Sequence, residues 1–363
     1  MNEDRVTGGA PKPPVDIGRS YAAYARHKVA VLIGLCVAVA ALAVATLGMG
    51  SYDLSLPDIV KGLLQQADSR TNAIIWNMRL PRVLTALVAG ASLSLAGCAY
   101  QSLLRNPLAS ASTLGISQGA AFGASLAIIV LGGGGAAAAF EGVNSGDPAL
   151  TVLCAFVGAM LSTMVILGLS RLREMTPESI VLLGVALSAL FTAGTTFIQY
   201  FAEDTQVAAV VFWTFGDLSR VNMSQLAIMV AVMVAVAVFC HLNRWKFNAI
   251  ESGEGLAHGL GVAVTSTRLA GMVVASAAAA SVIAFCGIVN FVGLVAPHIM
   301  RRVLGADYRY LLPSSAVCGA GLVLLADILC RTIVAPLILP ISAVTSLVGA
   351  PLFIYLLFRG VQR

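Results

Sequence analysis

Residues able to carry chemistry are sparse in this 363-residue chain, and the few that stand out do not gather. Asp327 is the main acid inside an apolar run and precedes Arg331 by four residues, so the two share a helix face. Mutual neutralisation near one surface explains that pair better than a proton relay, which needs a series of such groups along the apolar segments. His298, in Ala296-Pro297-His298, has no second metal-ligating residue close in sequence, and His258 sits in a glycine-rich polar loop. The seven cysteines (36, 98, 154, 240, 286, 318 and 330) are scattered through apolar stretches without a C-x-x-C, which indicates neither a disulfide framework nor a metal site. None of the four lysines (12, 28, 61 and 246) follows a glycine, so no P-loop can form. No metal or cofactor is expected on this chain, and any ATP-driven step must draw on another subunit.

The elements that surround these residues are apolar. The chain is 58% hydrophobic and 11% charged with a mean hydropathy of +0.90, against roughly 25% charged residues in a soluble domain. The expectation is an all-α polytopic membrane protein of about ten helices, each needing about 20 apolar residues to cross. The predicted spans are 29–50, 80–104, 113–132, 148–170, 178–200, 224–241, 266–285, 287–303, 312–330 and 341–358. With the N- and C-termini cytoplasmic, the inside segments hold 16 of the 22 Lys and Arg residues, as the positive-inside rule requires. The net charge of +5 then reflects topology and anionic headgroups; nucleic acid is excluded as a partner because no soluble basic face exists to bind it.

Residues 1–28 read as a polar N-terminal extension and 29–360 as a single membrane domain. The outside segment 51–78 is predicted to hold a short amphipathic helix before Trp76 anchors the next span. Small residues recur every four positions at Ala86, Gly90, Ser94, Cys98 and Ser102, and again at Gly115, Gly119, Gly123 and Ala127. Such stripes let helix backbones approach closely. Gly132–Ala139 reads as a low-complexity turn and 141–148 as an outside loop. Residues 207–215 are too short to cross and read as a re-entrant or interfacial helix. The inside loop 244–267 is punctuated by Gly253, Gly255, Gly259 and Gly261 and looks like a docking surface. Arg79 to Cys98 is weakly echoed by Arg268 to Cys286, each opening Arg-Leu and ending at Cys. The two segments cross in opposite directions in this topology, as an inverted repeat would.

RLPRVLTALVAGASLSLAG, LLRNPLASASTLGISQGAAFGA, GEGLAHGLGV, GIVNFVGLVAPHIMRRVLGADYRYLLP, LLADILCRTIVAP and LPISAVTSLVGAPLFIYLLFR occur in that order. Over roughly residues 30–360 the chain therefore resembles the permease subunits of type II ABC importers for iron-siderophores, haem and cobalamin. The resemblance implies a ten-helix permease working as a homodimer with a second copy, or as one of two related permeases, together with two cytoplasmic ATPase subunits that bind ATP and Mg and an external substrate-binding protein. It implies that Arg79, Arg82 and Arg331 offer cations to acidic residues of the binding protein, and that Asn106 and Leu108 form an inner gate. A break there is physically sensible, because Pro107 removes a backbone donor and disfavours helix at Asn106.

The resemblance further implies that Glu254, Gly255, Leu256, Ala257, Leu260 and Gly261 form a coupling element seated on the ATPase. Ser188, Thr192, Thr195, Thr196 and Gln199 match the pathway-lining span, although their hydroxyls can equally bond their own helix backbone. The expected function is translocation of a metal chelate, ferric siderophore first, with no enzymatic activity of the chain's own. The alternatives are an ATP-independent secondary carrier or channel, and an intramembrane enzyme using Asp327.

Overall fold

The computed structural model describes residues 17–49, 55–132, 148–172 and 175–360, all of whose regular elements are helical. In chain order these are α1 (Ile17–Gly48), α2 (Leu56–Leu63), α3 (Ser69–Leu103), α4 (Ile116–Val130), α5 (Pro148–Leu172), α6 (Pro177–Tyr200), α7 (Asp204–Thr214), α8 (Met223–Leu242), α9 (Arg244–Ser252), α10 (Glu254–Gly259), α11 (Val264–Cys286), α12 (Val292–Leu304), α13 (Tyr308–Thr332) and α14 (Ile341–Gly360). Among the described residues seven of them, α1, α3, α5, α6, α8, α11 and α13, are long and apolar enough to cross a membrane.

The other three predicted spans are shorter helices. α4 and the Ile341–Leu356 part of α14 are apolar but fall below that length. The predicted span 287–303 is corrected to α12, whose 13 residues reach only about 20 Å. Its missing first turn is broken by Gly287 (φ 78°) and Phe291 (φ 63°). The span predicted at 113 likewise becomes helical only at Ile116, after Gly115 turns left-handed (φ 76°). At the N-terminus the change is opposite: α1 starts at Ile17, so the end of the predicted polar extension is part of the first helix. The Gly/Ala turn and outside loop expected within 133–147 lie outside the described residues.

α3 is the mast of the bundle, with 83% of its apolar window buried against 11% for α1. The segment before it holds one short helix, α2. Ser55 and Asp58 cap α2 reciprocally, and Trp76 Nε1 donates to Gly62 O (3.0 Å), tying α2 to α3. A π turn at Ile75–Arg79 precedes Pro81, which has no N–H to continue a regular ladder.

The four-residue stripe does pack helices together: a Cβ at Gly90 would collide with the backbone of Gly319 on α13. Gly97, off the predicted stripe, meets the Gly293 carbonyl of α12 in the same way. Hydroxyls join α3, α5 and α11 where Tyr100 Oη and Thr163 Oγ1 both meet Ser276 Oγ (2.9 and 2.7 Å). Inside a membrane such groups have no water to turn to, so they hold helices in register.

The chain breaks serve one another. Asp217 N donates to Cys286 O (2.7 Å) and Ser342 N to Phe215 O (3.1 Å), joining the ends of α7, α11 and the start of α14. Non-helical backbone is thus satisfied within the protein, as membrane depth demands. The short helix predicted at 207–215 is α7, with Ala209, Val210 and Trp213 buried.

Candidate gate, coupling surface and outer cation cluster

The three arginines expected at one rim lie at the same end of the bundle, but they face inward. Arg79, only 8% exposed, donates through Nη1 to the carbonyls of Leu47 (2.6 Å) and Gly48 (3.0 Å) at the end of α1. Arg331 Nη1 donates to Met49 O (3.2 Å). Cations are favoured at a helix C-terminus, where the last carbonyls lack intrahelical donors. In this chain Arg79 closes the end of α1.

Asp327 is 1% exposed and sits between two arginines. Arg82 Nε donates to its Oδ1 (2.8 Å), and Arg331 Nη2 lies 3.0 Å from its Oδ2. The sequence paired Asp327 with Arg331 alone; the Arg82 contact, from 245 residues away, is decided by α3 packing on α13. One carboxylate between two cations leaves a charge of +1 on this cluster. Both carboxylate oxygens lie within ion-pair distance of an arginine, which suits a structural role for the acid.

At the opposite end α3 stops in a tight turn. Asn106 N donates to Gln101 O and Arg105 N to Ser102 O (both 3.1 Å), with Arg105 left-handed at φ 45°. Asn106 Oδ1 then accepts from Leu108 N (2.9 Å), an Asx turn that fixes Pro107 at the corner and leaves Leu108 exposed. Hydroxyls of Ser110, Ser112 and Thr113 brace the following residues up to α4. Asn106 and Leu108 are thus the tip of a rigid turn between two packed helices.

The coupling segment resolves into α9 and α10. α9 is pinned from beneath: Phe247 and Ile250 are fully buried, Asn248 Oδ1 accepts from Tyr308 N (2.9 Å), and Tyr308 Oη donates to Glu251 Oε2 (2.6 Å). Arg301 lies 3.6 Å from Glu251 and donates to the same Tyr308 oxygen (3.2 Å). Burial alone would push the Asp307 carboxyl up, but hydrogen bonds from Arg309 and Asn248 hold it below the usual carboxylate range.

α10 is built differently. It buries only Ala257 and presents Leu256 (55% exposed) and Leu260 (65%), an i,i+4 pair of large apolar residues facing away from the protein. Gly255 has open space around it, and Gly253 (φ 131°) and Gly261 (φ 76°) bound the helix in conformations that side chains rarely adopt. Glu254 opens the helix and pairs with Arg268 at the start of α11. Sequence reading passed over Arg268 except in the Arg-Leu echo, which was the available signal.

α6 is little buried and exposes Leu182, Val185, Leu190, Phe197 and Tyr200. An open depression of about 670 Å³ on it is lined by Ala189, Thr192, Ala193, Thr196, Phe197 and Tyr200. Ser188, Thr192, Thr195 and Thr196 each donate to the carbonyl four residues back (2.8–3.0 Å), so the helix satisfies its own hydroxyls. His298 packs edge-on against Phe353 with centroids 6.0 Å apart, and His258 is exposed.

Comparison with known proteins gives this arrangement a context. The FecCD transport family matches residues 34–359. A Methanocaldococcus jannaschii protein named as an ABC transporter permease is 46% identical over 355 residues, covering 96% of this chain and 100% of that protein. The hemin transport system permease protein of Yersinia pestis is 34% identical over 322 residues, covering 88% and 92%. Among solved structures, an inward-facing metal-chelate type ABC transporter superposes with a TM-score of 0.78 at 30% identity, covering 91% of this chain and 99% of that one.

Proposed function

The chain belongs to the FecCD transport family, and we propose that it is the membrane-spanning permease of an ATP-driven importer that passes a metal chelate across a cell's inner membrane. A ferric siderophore is the leading cargo, with haem and cobalamin as the other members of the class. ATP and magnesium belong to two separate ATPase subunits, because this chain contains no P-loop. A second copy covers the exposed apolar face of α6, whose depression then lies on the shared axis, and an external binding protein delivers the cargo.

The observation that carries the reading is α10. A six-residue helix between two glycine breaks holds out Leu256 and Leu260, and a soluble partner with an apolar groove is what such a surface suits. Glu254, Gly255, Ala257 and Gly261 shape that element and hold its base. Asn106 and Leu108, at the same end of the molecule, form the inner gate. Both described chain ends lie there too: Lys28 of α1 packs over Tyr310, and Arg302 donates to Leu356 O. The positive-inside count assigns that end to the cytoplasm. At the outer end Arg82 and Arg331 share one carboxylate, so the surplus positive charge there suits acidic residues of the binding protein.

The test is reconstitution. Permease in nanodiscs should capture its ATPase, and Leu256→Asp with Leu260→Asp should abolish capture while leaving the fold within about 0.5 kcal/mol, since both side chains are exposed. In proteoliposomes, uptake of a radio-iron hydroxamate siderophore, haemin or cyanocobalamin should require ATPase, ATP and binding protein together. Uptake that persists without the ATPase overturns the importer reading in favour of a secondary carrier.

A further inference from the structure

We propose that Arg268 is the positioning residue that links α10 to the inner gate, holding the coupling helix with one edge of its guanidinium and the end of α3 with another. The inference rests on the importer reading above and specifies how movement at the ATPase surface reaches Asn106 and Leu108.

The need for the contact begins in the sequence. Within an α-helix the Leu103 carbonyl would accept from the residue four further on, which is Pro107 and has no hydrogen to give. The turn that ends α3 uses the carbonyls of Tyr100, Gln101 and Ser102, accepting from Leu104, Asn106 and Arg105. Leu103 is left over, and Arg268 Nε supplies its donor at 2.9 Å. The same guanidinium donates through Nη2 to Glu254 Oε1, on the first residue of α10. Its side chain is 12% exposed, so the Leu103 contact is sheltered from water, while the Glu254 side chain at 39% reaches the surface.

The geometry around the link gives it a direction. α9 is pinned to α12 and α13 by Glu251, Arg301 and Tyr308 and by Asn248, so it moves with the core. α10 hangs from α9 through Gly253 and returns to α11 through Gly261, both in open space. A push on Leu256 and Leu260 therefore rotates α10 about its glycine ends and pulls on Glu254. A planar guanidinium cannot follow Glu254 without drawing its Nε from the Leu103 carbonyl. Leu103 lies three residues before Asn106, across a turn made rigid by its own hydrogen bonds. Displacement of α10 thus reaches the gate tip.

A residue that only capped α3 would affect stability and leave the response to ATP unchanged. The test reads that response. A Leu108→Cys reporter is placed in a Cys36→Ser, Cys154→Ser background, which removes the two native cysteines that are not buried. Maleimide labelling is followed with and without ATP in the complete permease–ATPase complex in nanodiscs. Arg268→Lys keeps the charge but brings one ammonium where two directed donors are needed. The expected result is retained ATPase capture and ATP hydrolysis, with the ATP-dependent change in labelling rate reduced at least fivefold. Glu254→Gln, which leaves the Leu103 cap in place, should reduce the same change and serves if the lysine variant does not assemble. A full ATP response in either variant overturns the link. A parent complex that captures ATPase but labels identically with and without ATP overturns the importer reading and the link with it.

Discussion

Arg79 and Arg268 open the two Arg-Leu segments that echo one another in the sequence, and both cap the end of another helix, yet they do different work. Arg79 binds the last carbonyls of α1, and Arg268 binds the last carbonyl of α3 at the opposite end of the bundle. Arg79 directs one nitrogen at two adjacent carbonyls of a single helix, in a buried position beside the Arg82–Asp327–Arg331 cluster. Arg268 divides its nitrogens between a buried helix end and a partly exposed acid on a short, glycine-bounded helix. The same side chain closes a helix end in both places, and at 268 it also reaches an acid on a short, glycine-bounded helix.

The strongest challenge to the outer joint is Asp327→Ala, which strands two partly buried arginines. Loss of one partner from such a cluster costs about 3–5 kcal/mol, read as a lowered thermal midpoint and poor recovery from the membrane. Asp327→Asn, which keeps one acceptor oxygen, should cost less than half of that. If Asp327→Ala unfolds normally, the outer cluster is not a structural joint.

A smaller effect is expected at Arg79. Arg79→Ala removes charge-assisted bonds worth about 1.5–3 kcal/mol and should raise hydrogen exchange at residues 45–49, the end of α1. Arg79→Lys should restore most of the protection, because one ammonium can serve two neighbouring carbonyls. Rescue by lysine at 79 but not at 268 would sharpen the contrast between the joints; equal rescue would erase it.

The mildest expectation concerns acid and the inner end. The Asp307 carboxyl is depressed in the folded protein, so its stabilising share is fully present above its unfolded pKa of about 4. That share is lost as pH falls through the lower folded value. Exchange protection of the Tyr308 amide, which Asn248 accepts beside Asp307, should hold its value relative to the intrinsic rate from pH 8 to about 5 and drop only below about 4. A drop near neutrality would assign the inner joint to another group.

Composition and periodicity settled the class, because apolar runs of membrane length leave few alternatives to a helical bundle. The motif order carried the family, and single residues carried local events: Pro107 ends a helix and strips Leu103 of its donor, Gly253 and Gly261 bound a short helix, and small residues at 90 and 119 admit close backbones. Other features were beyond reach. A left-handed Phe291 and the start of the half-length α12 sit against α14, where Asn290 Nδ2 donates to Ser346 Oγ (3.2 Å) and Phe291 packs on Gly349, contacts that no local pattern announces.

The sequence by itself thus determined which residues are apolar enough to cross, where helices must stop, and that no P-loop motif occurs. Only the tertiary structure decided what each arginine faces. Arg79 looks like an exposed anchor in one dimension, and packing of α3 against α1 buries it on carbonyls; Arg268 looks like one more loop cation, and packing of α11 against α3 makes it a bridge. The reason is physical. A guanidinium takes its role from acceptors that are distant in sequence, and their positions are fixed by the fit of helices to one another.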